Sequence, residues 1–360
     1  MTPSLALRDP MLAELNERVT ASLEEFLDDR ARWLDGISAE LAPVAATVRD
    51  FVLDGGKRLR PAFAYWGWRG ADGPDGEPIV RAAACLELLH ASALIHDDLM
   101  DASETRRGAP SVHRRFATLH RSAGWRGSAE SFGAAGAILL GDLCLVWADD
   151  MLARAGLPAE RLVRAIPVYN EMRGELMAGQ YLDVLAQATG GAGPDGALTV
   201  ARYKSAKYTV ERPLHLGAAL AGADQAVLDA YTAYGLPLGE AFQLRDDLLG
   251  VFGDPVVTGK PAGDDLREGK RTALVALTLQ RATPEQAATV ERLFGDPDLD
   301  GEGVAVLRDV IVGTGAVGAV EELINERTAR ALAALDAAPI TRQAHDTLAA
   351  LAVAATARRV

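Results

Sequence analysis

An all-α fold is what this chain of 360 residues predicts, and three observations carry that expectation. Alanine and leucine dominate its 49% of hydrophobic residues while aromatics reach only 6%, a bias toward helix over sheet. Apolar positions recur at helical spacing through long segments separated by short Gly-, Pro- and Asp-rich loops. No internal period of the length expected for a solenoid appears. The length is ample for one large core, so a single large helical domain spanning residues 1–360 is the expected architecture.

In order, the spacing predicts helices over Leu12–Leu34, Ala39–Leu53, Arg81–Leu99, Phe132–Ala155, Ala159–Ala188, Ala226–Phe252, Thr272–Ala282, Pro284–Phe294 and Ala316–Leu335, with a last one near Ala344–Ala357. Loops are marked by "GADGPDGEP" at Gly70–Pro78, "GGAGPDG" at Gly190–Gly196 and "FGDPDLDGEG" at Phe294–Gly303. Arg81–Leu99 and Phe132–Ala155 carry more apolar surface than one buried face needs. Lys and Arg number 37 against 50 Asp and Glu, and the resulting charge of −13 argues against a nucleic-acid surface. Cys85 and Cys144 are the two cysteines, without metal-ligand spacing, which argues against a disulfide framework or a thiolate zinc site and fits a reducing, cytoplasmic setting. The N-terminal stretch lacks a basic start followed by an apolar core, and no run of about 18 uncharged apolar residues occurs. Neither secretion nor a membrane span is therefore expected.

Charge is concentrated where these helices break. In "LIHDDLMDASETRRGAP", Leu94–Pro110, Asp97 and Asp101 stand four residues apart on one helical face, with Asp98 turned away. Like charges at that spacing repel, and a chain keeps them when they are solvated or when a cation sits between them. An exposed acidic helix end is the commoner outcome, but "CLELLHASALIH", Cys85–His96, is too apolar for a solvated face. Oxygen-only donors suit Mg²⁺, which keeps several waters and binds through a few carboxylates plus phosphate oxygens. "EAFQLRDDLLGVFGDP", Glu240–Pro255, repeats the arrangement, with Gln243, Asp246, Asp247 and Gly250 at helical spacing.

Basic residues appear in four places: Lys57, Arg58 and Arg60 in "DGGKRLRP"; Arg106 and Arg107 in "TRRG"; Lys204 and Lys207 in "KSAK"; Lys260, Lys270 and Arg271 in "VTGKPAGDDLREGKRT". Arg grips phosphate oxygens in a bidentate fork and Lys acts as a mobile point charge. Each group alone reads as an ordinary solvated loop. Their combination with two acidic helices points to a phosphorylated substrate held with a divalent ion.

Taken in order, "GGKRLRP", "ELLHASALIHDDLMD" followed by "TRRG", "YKSAKYT" and "FQLRDDLLGVFGDPVVTGKPAGDDLREGK" resemble the trans-isoprenyl diphosphate synthases, or polyprenyl synthetases, from about Asp54 to Thr272. The resemblance implies a bundle of helices around a deep central apolar cavity, with the two aspartate helices facing each other across its mouth. It also implies a homodimer, and Mg²⁺, three ions with substrate bound. The activity implied is condensation of an allylic diphosphate with isopentenyl diphosphate to a longer all-trans prenyl diphosphate. By the same resemblance, Gly56, Lys57, Arg60, His90 and Arg107 form the isopentenyl diphosphate pocket. Asp97 and Asp101 ligate metal, with Asp98 supporting; Arg106, Lys204 and Lys260 contact the allylic diphosphate, beside Ser205 where the family usually has Thr. Gln243 and Asp246 belong to the second metal face, with Asp247 behind them, and Lys270 joins the substrate-binding set. The second motif usually ends in Asp; here Gly250 stands there, and Asp254 or Asp264 is the expected substitute.

The resemblance leaves two competitors. A class I terpene cyclase would need no isopentenyl pocket, which the retained Lys57, Arg60, His90 and Arg107 argue against. A non-catalytic subunit of a heteromeric synthase would have lost metal ligands. Product length is read from the helix below Asp97. Relatives that stop at fifteen carbons commonly carry bulky aromatics four and five residues earlier, where this chain has Ala93 and Ser92, so Leu89 is the next obstruction. Twenty-carbon geranylgeranyl diphosphate is the expected product, with farnesyl or longer-chain diphosphates as alternatives.

Overall fold

From Pro10 onward the chain runs as helices joined by short turns, and their packing divides it into two compact units. The structure, a computed structural model, describes residues 10–191, 193–253 and 263–356. Of the described residues, the first unit takes 10–165 together with Leu216–Gly222; the second takes Ile166–His215 and those from Ala223 on.

The first unit holds α1 (Pro10–Ile37), α2 (Ala42–Leu53), α3 (Leu59–Gly70), α4 (Glu77–Met100), α5 (Val112–Ser122), α6 (Ala129–Ala153) and the start of α7 (Ala159–Thr189). α4 packs against α6 and α3 and is apolar on almost every side, with Ala82, Ala83, Ala84, Cys85, Leu86, Leu88, Leu89 and Ile95 buried. Each buried Leu or Ile stabilises the fold by roughly 1.5–3 kcal/mol relative to exposure. α3 escaped the periodicity reading for a related reason: Ala62, Phe63, Ala64, Trp66 and Trp68 are all buried, so no polar face alternates with an apolar one. The sequence "TRRGAP" forms a two-stranded antiparallel hairpin, β1 (Thr105–Arg106) with β2 (Ala109–Pro110). Its two turn residues, Arg107 (φ 54°) and Gly108 (φ 78°), are both left-handed, the geometry that matches strand twist in a two-residue hairpin.

The second unit holds the rest of α7, α8 (Gly193–Val200), a π-helix over Ala201–Glu211, the first turn of α9 (Arg212–Ala221), α10 (Gln225–Phe252), α11 (Asp264–Arg267), α12 (Ala273–Arg281), α13 (Pro284–Leu293), α14 (Gly301–Gly313), α15 (Ala316–Asp336) and α16 (Arg342–Thr356). Its core joins Leu244, Leu248 and Val251 of α10 to Leu266, Leu274, Leu307, Ile311, Val320 and Ile324. α8 and α14 begin inside glycine-rich stretches that read as loops. In the second case Asp300 caps the helix, its carboxylate accepting from Gly303 N at 2.8 Å.

By length and composition, α4 and α6 are apolar enough to cross a membrane, although the sequence reading expected no such helix. In α4, 72% of the apolar window is buried inside the protein, whereas in α6 only 39% is. Charges within both helices, Glu87 in α4 and Asp142 in α6, together with those toward their ends, hid them from a search for uncharged runs.

Candidate active site

The first acidic face lies where α4 ends. The Asp101 backbone N–H closes the last turn on the Asp97 carbonyl at 2.8 Å, keeping both side chains in helical register. The partly accessible stripe of α4 runs His90, Ala93, Asp97, Asp101, one residue per turn, while Leu89, Ser92 and Asp98 are buried. Asp98 has no exposed surface and its carboxylate accepts two hydrogen bonds from Arg106, one from Nε at 2.9 Å. Arg106 also lies 3.9 Å from Asp97. Asp98 therefore orients an arginine, and Asp97 and Asp101 are the carboxylates left on the accessible stripe.

The hairpin separates the two adjacent arginines. Arg106 turns to the aspartates, whereas Arg107 reaches the loop after α2, donating to the carbonyls of Asp54 (2.7 Å) and Phe51 (3.3 Å). That loop turns through Gly56, whose φ of 104° is a conformation that side chains rarely adopt, and which lies beside the Arg107 and Arg58 guanidiniums and the Glu87 carboxylate. Arg58 is buried and paired to Glu87 at 2.5 Å, so it stiffens the loop, and Lys57 and Arg60 keep partial exposure. Burial, then the charges of Arg60, Arg107, Arg106 and Arg58, hold the His90 imidazole well below its usual pKa. The result is a neutral histidine among arginines, an arrangement chemically suited to an anion carrying several charges.

The second unit carries the other face. Lys204 sits in the π-helix and its Nζ pairs with the buried Asp183 carboxylate of α7 at 2.6 Å. α7 comes this close because Gly179 faces the Lys204 backbone: a Cβ there would lie 2.3 Å from Lys204 N. π segments are rare and collect at functional sites. Lys207, the other candidate, is taken up by Glu175 (3.1 Å) and Glu211 (3.0 Å). On α10, Gln243 donates to Asp247 at 2.8 Å; Asp246 is partly exposed and Asp247 buried. Burial first, then repulsion from Asp265 and Asp246, pushes the Asp247 carboxyl up to about 7, against the pull of Gln243 and Lys270. Where Asp254 or Asp264 was expected to substitute for the missing motif aspartate, the residue against Gly250 is Asp265; Asp254 lies outside the described residues, as does Lys260.

Asp183 and Glu87 escaped the sequence reading. A glycine inside a predicted helix, Gly179 in "GQYLD", was the available signal for the first; Glu87 offered none, being one acid in an apolar run. Among the described residues no three acidic, His or Cys side chains converge as a ready-made cation cage. Carboxylates in ones and twos still suit a hard ion that takes its remaining ligands from water and a diphosphate.

Residues 42–310 match the family model described as polyprenyl synthetase. The chain is 34% identical over 271 residues to geranylfarnesyl diphosphate synthase of Aeropyrum pernix, covering 74% of this chain and 79% of that one. It is 34% identical over 273 residues to (2E,6E)-farnesyl diphosphate synthase of Mycobacterium bovis, covering 75% and 70%. Among solved structures, geranylgeranyl pyrophosphate synthase from Corynebacterium glutamicum, in complex with isoprenyl diphosphate and magnesium, aligns with a TM-score of 0.94 and 46% identity over 97% of this chain and 99% of that one. Agreement of this extent in sequence and in all-α fold goes beyond the resemblance of separate motifs: the chain belongs to the polyprenyl synthetase family and is a trans-prenyltransferase.

Proposed function

We propose that this enzyme extends an allylic diphosphate with isopentenyl diphosphate to geranylgeranyl diphosphate, acting with Mg²⁺ as a cytoplasmic homodimer whose two units serve as one catalytic domain. The observation that carries the product length is the small residue one turn below Asp97. Ala93 lies on the accessible stripe of α4, where an aromatic side chain would stop a growing tail, and the buried Ser92 beside it is equally small. The solved relative named geranylgeranyl pyrophosphate synthase supports the same length.

In this reading Asp97, Asp101 and Asp246 hold the metal, three ions when substrate is bound, with Asp98 and Asp247 behind them. Bound Mg²⁺ supplies Lewis-acid neutralisation of the leaving diphosphate. The carbon–oxygen bond of the allylic substrate breaks heterolytically, and the charge left on pyrophosphate is met by Arg106, Lys204 and Lys260, with Ser205 and Gln243 beside them. Asp98 and Asp183 hold Arg106 and Lys204 in place beforehand, so no reorganisation falls on the reacting state. Gly56, Lys57, Arg60, His90 and Arg107 fix the diphosphate of isopentenyl diphosphate, and Lys270 joins the substrate-binding set. The alkene attacks the allylic carbon, forming the new carbon–carbon bond; a proton is lost to the departing pyrophosphate, and the double bond is restored. A neutral His90 suits this pocket because it donates a hydrogen bond without offering an acid to the alkene. Dimerisation is supported by the exposed apolar side chains of α6, with Leu139 66% and Val146 60% accessible.

The test is product analysis with the full chain, Mg²⁺, dimethylallyl diphosphate and radiolabelled isopentenyl diphosphate. A twenty-carbon diphosphate is expected, shortened by Ala93→Phe; a twenty-five-carbon end product overturns the length, and a hydrocarbon overturns the elongation reading. Light scattering across a concentration series reads the dimer.

A further inference from the structure

Three glycines press one element from two sides. On α7, a Cβ at Gly179 would lie 2.7 Å from Lys204 Cα; on α10, one at Gly239 would lie 2.6 Å from the Cα and the carbonyl oxygen of Ala206, and one at Gly235 2.9 Å from Glu211 Cα. These are contacts with backbone, which no side-chain rotation relieves, so the π-helix over Ala201–Glu211 is held between the two helices. Its charges divide in the same way. Lys204 and Lys207 pair with Asp183 and Glu175 of α7, whereas Arg202 turns to α10, its Nε donating to Glu240 Oε1 at 2.7 Å. The other oxygen of that carboxylate accepts from Arg327 Nε of α15, also at 2.7 Å. Glu240 is 5% exposed, a burial that is costly for a carboxylate unless it is paired. It stands three and seven residues before Gln243 and Asp247, on the face of α10 that they share. One buried acid thus ties the segment that carries Lys204 to the helix that carries the second acidic face. Winding wider than that of an α-helix is rare, and a side chain on it keeps its direction only while neighbours hold the segment.

We propose that Glu240 is a positioning residue for the allylic substrate: through Arg202 it fixes the π-helix against α10 in the register that presents Lys204 to the diphosphate. Arg327 offsets the burial of the same carboxylate from the far side and takes no part in that positioning. This rests on the reading of Lys204 as a contact to the allylic diphosphate.

The test is steady-state kinetics with dimethylallyl diphosphate and isopentenyl diphosphate varied in turn, together with thermal unfolding. Arg202→Ala leaves Glu240 paired with Arg327, and 43% of the Arg202 side chain is exposed, so the variant folds. It should raise the Michaelis constant for the allylic substrate about fivefold or more and leave that for isopentenyl diphosphate within about twofold. Arg202→Lys, which keeps one donor for Glu240, should recover part of the loss. Arg327→Ala should lower the melting temperature at least as much as Arg202→Ala while both Michaelis constants stay within about twofold of the parent. A parent-like Arg202→Ala, an equal rise for the two substrates, or an Arg327→Ala that reproduces the allylic defect overturns the proposal. Lys204→Ala run alongside separates the premises: if it uses the allylic substrate like the parent, the reading of Lys204 fails, whereas a defective Lys204→Ala beside a parent-like Arg202→Ala refutes the role of Glu240 alone.

Discussion

The two Asp-Asp pairs are the same dipeptide on two helices, and the structure treats them differently. On α4 the buried member, Asp98, is neutralised within the chain by Arg106. On α10 the buried member, Asp247, meets Asp265 and Asp246, with the amide of Gln243 and the charge of Lys270 offsetting them, and burial first, then those carboxylates, push its carboxyl up to about 7. One pair fixes an arginine; in the other the buried member meets two further carboxylates. The lesson is that a repeated acidic motif does not imply repeated function. In the proposed function the first face aims a cationic side chain at the leaving group, and the second takes up a cation.

The sharpest way to break this comparison is to remove the accessible carboxylates. Asp97→Ala or Asp101→Ala should abolish turnover; steady-state rates within tenfold of the parent, about 1.4 kcal/mol in barrier, would contradict their assignment as ligands. Next in size, Asp98→Ala strands a part-buried arginine and should cost about 3–5 kcal/mol of stability in a chemical denaturation experiment. Parent-like stability would mean the Asp98–Arg106 pair does not carry the local fold. A third experiment separates the phosphate pockets. Lys57→Ala or Arg60→Ala should raise the Michaelis constant for isopentenyl diphosphate more than that for the allylic substrate, and Lys204→Ala should do the reverse, each by about tenfold as expected for loss of one charge-assisted contact.

The smallest effect is electrostatic and opposite in sign to that of Asp98. The folded-state pKa of Asp247, about 7, exceeds the usual aspartate value of 3.8. The folded protein therefore retains a proton that the unfolded chain gives up, and metal-free stability falls as pH rises from about 4 to about 7. Asp247→Asn should flatten that decline and melt a few degrees above the parent at pH 8. A variant that follows the parent across the whole range would place the charge deficit elsewhere.

Most of the helices were legible because amphipathic spacing is a local signal: α1, α7, α10 and α15 end within three residues of where the apolar pattern stops. What escaped were elements whose reasons lie elsewhere in the chain. α3 is apolar all round because neighbours cover it on every side. The hairpin depends on left-handed Arg107, which no turn rule would select before Asn or Asp. In the site, residue types at motif positions were readable, whereas partnerships were not. That Arg58 belongs to Glu87, that Lys204 belongs to Asp183 and that Asp265 lies over Gly250 are facts of packing between segments far apart in sequence. Spacing within one helix carries no trace of them.

The hairpin at Thr105–Pro110 also sets how this enzyme can vary. Arg106 and Arg107 are consecutive, yet one serves the aspartates of α4 and the other the carbonyls after α2, because a two-residue turn reverses the chain between them. The two anchor points share one short length of backbone, so an insertion or deletion there would shift both arginines at once. Side chains on either side of the hairpin can change one at a time, whereas the number of residues in the turn sets the reach of both arginines together.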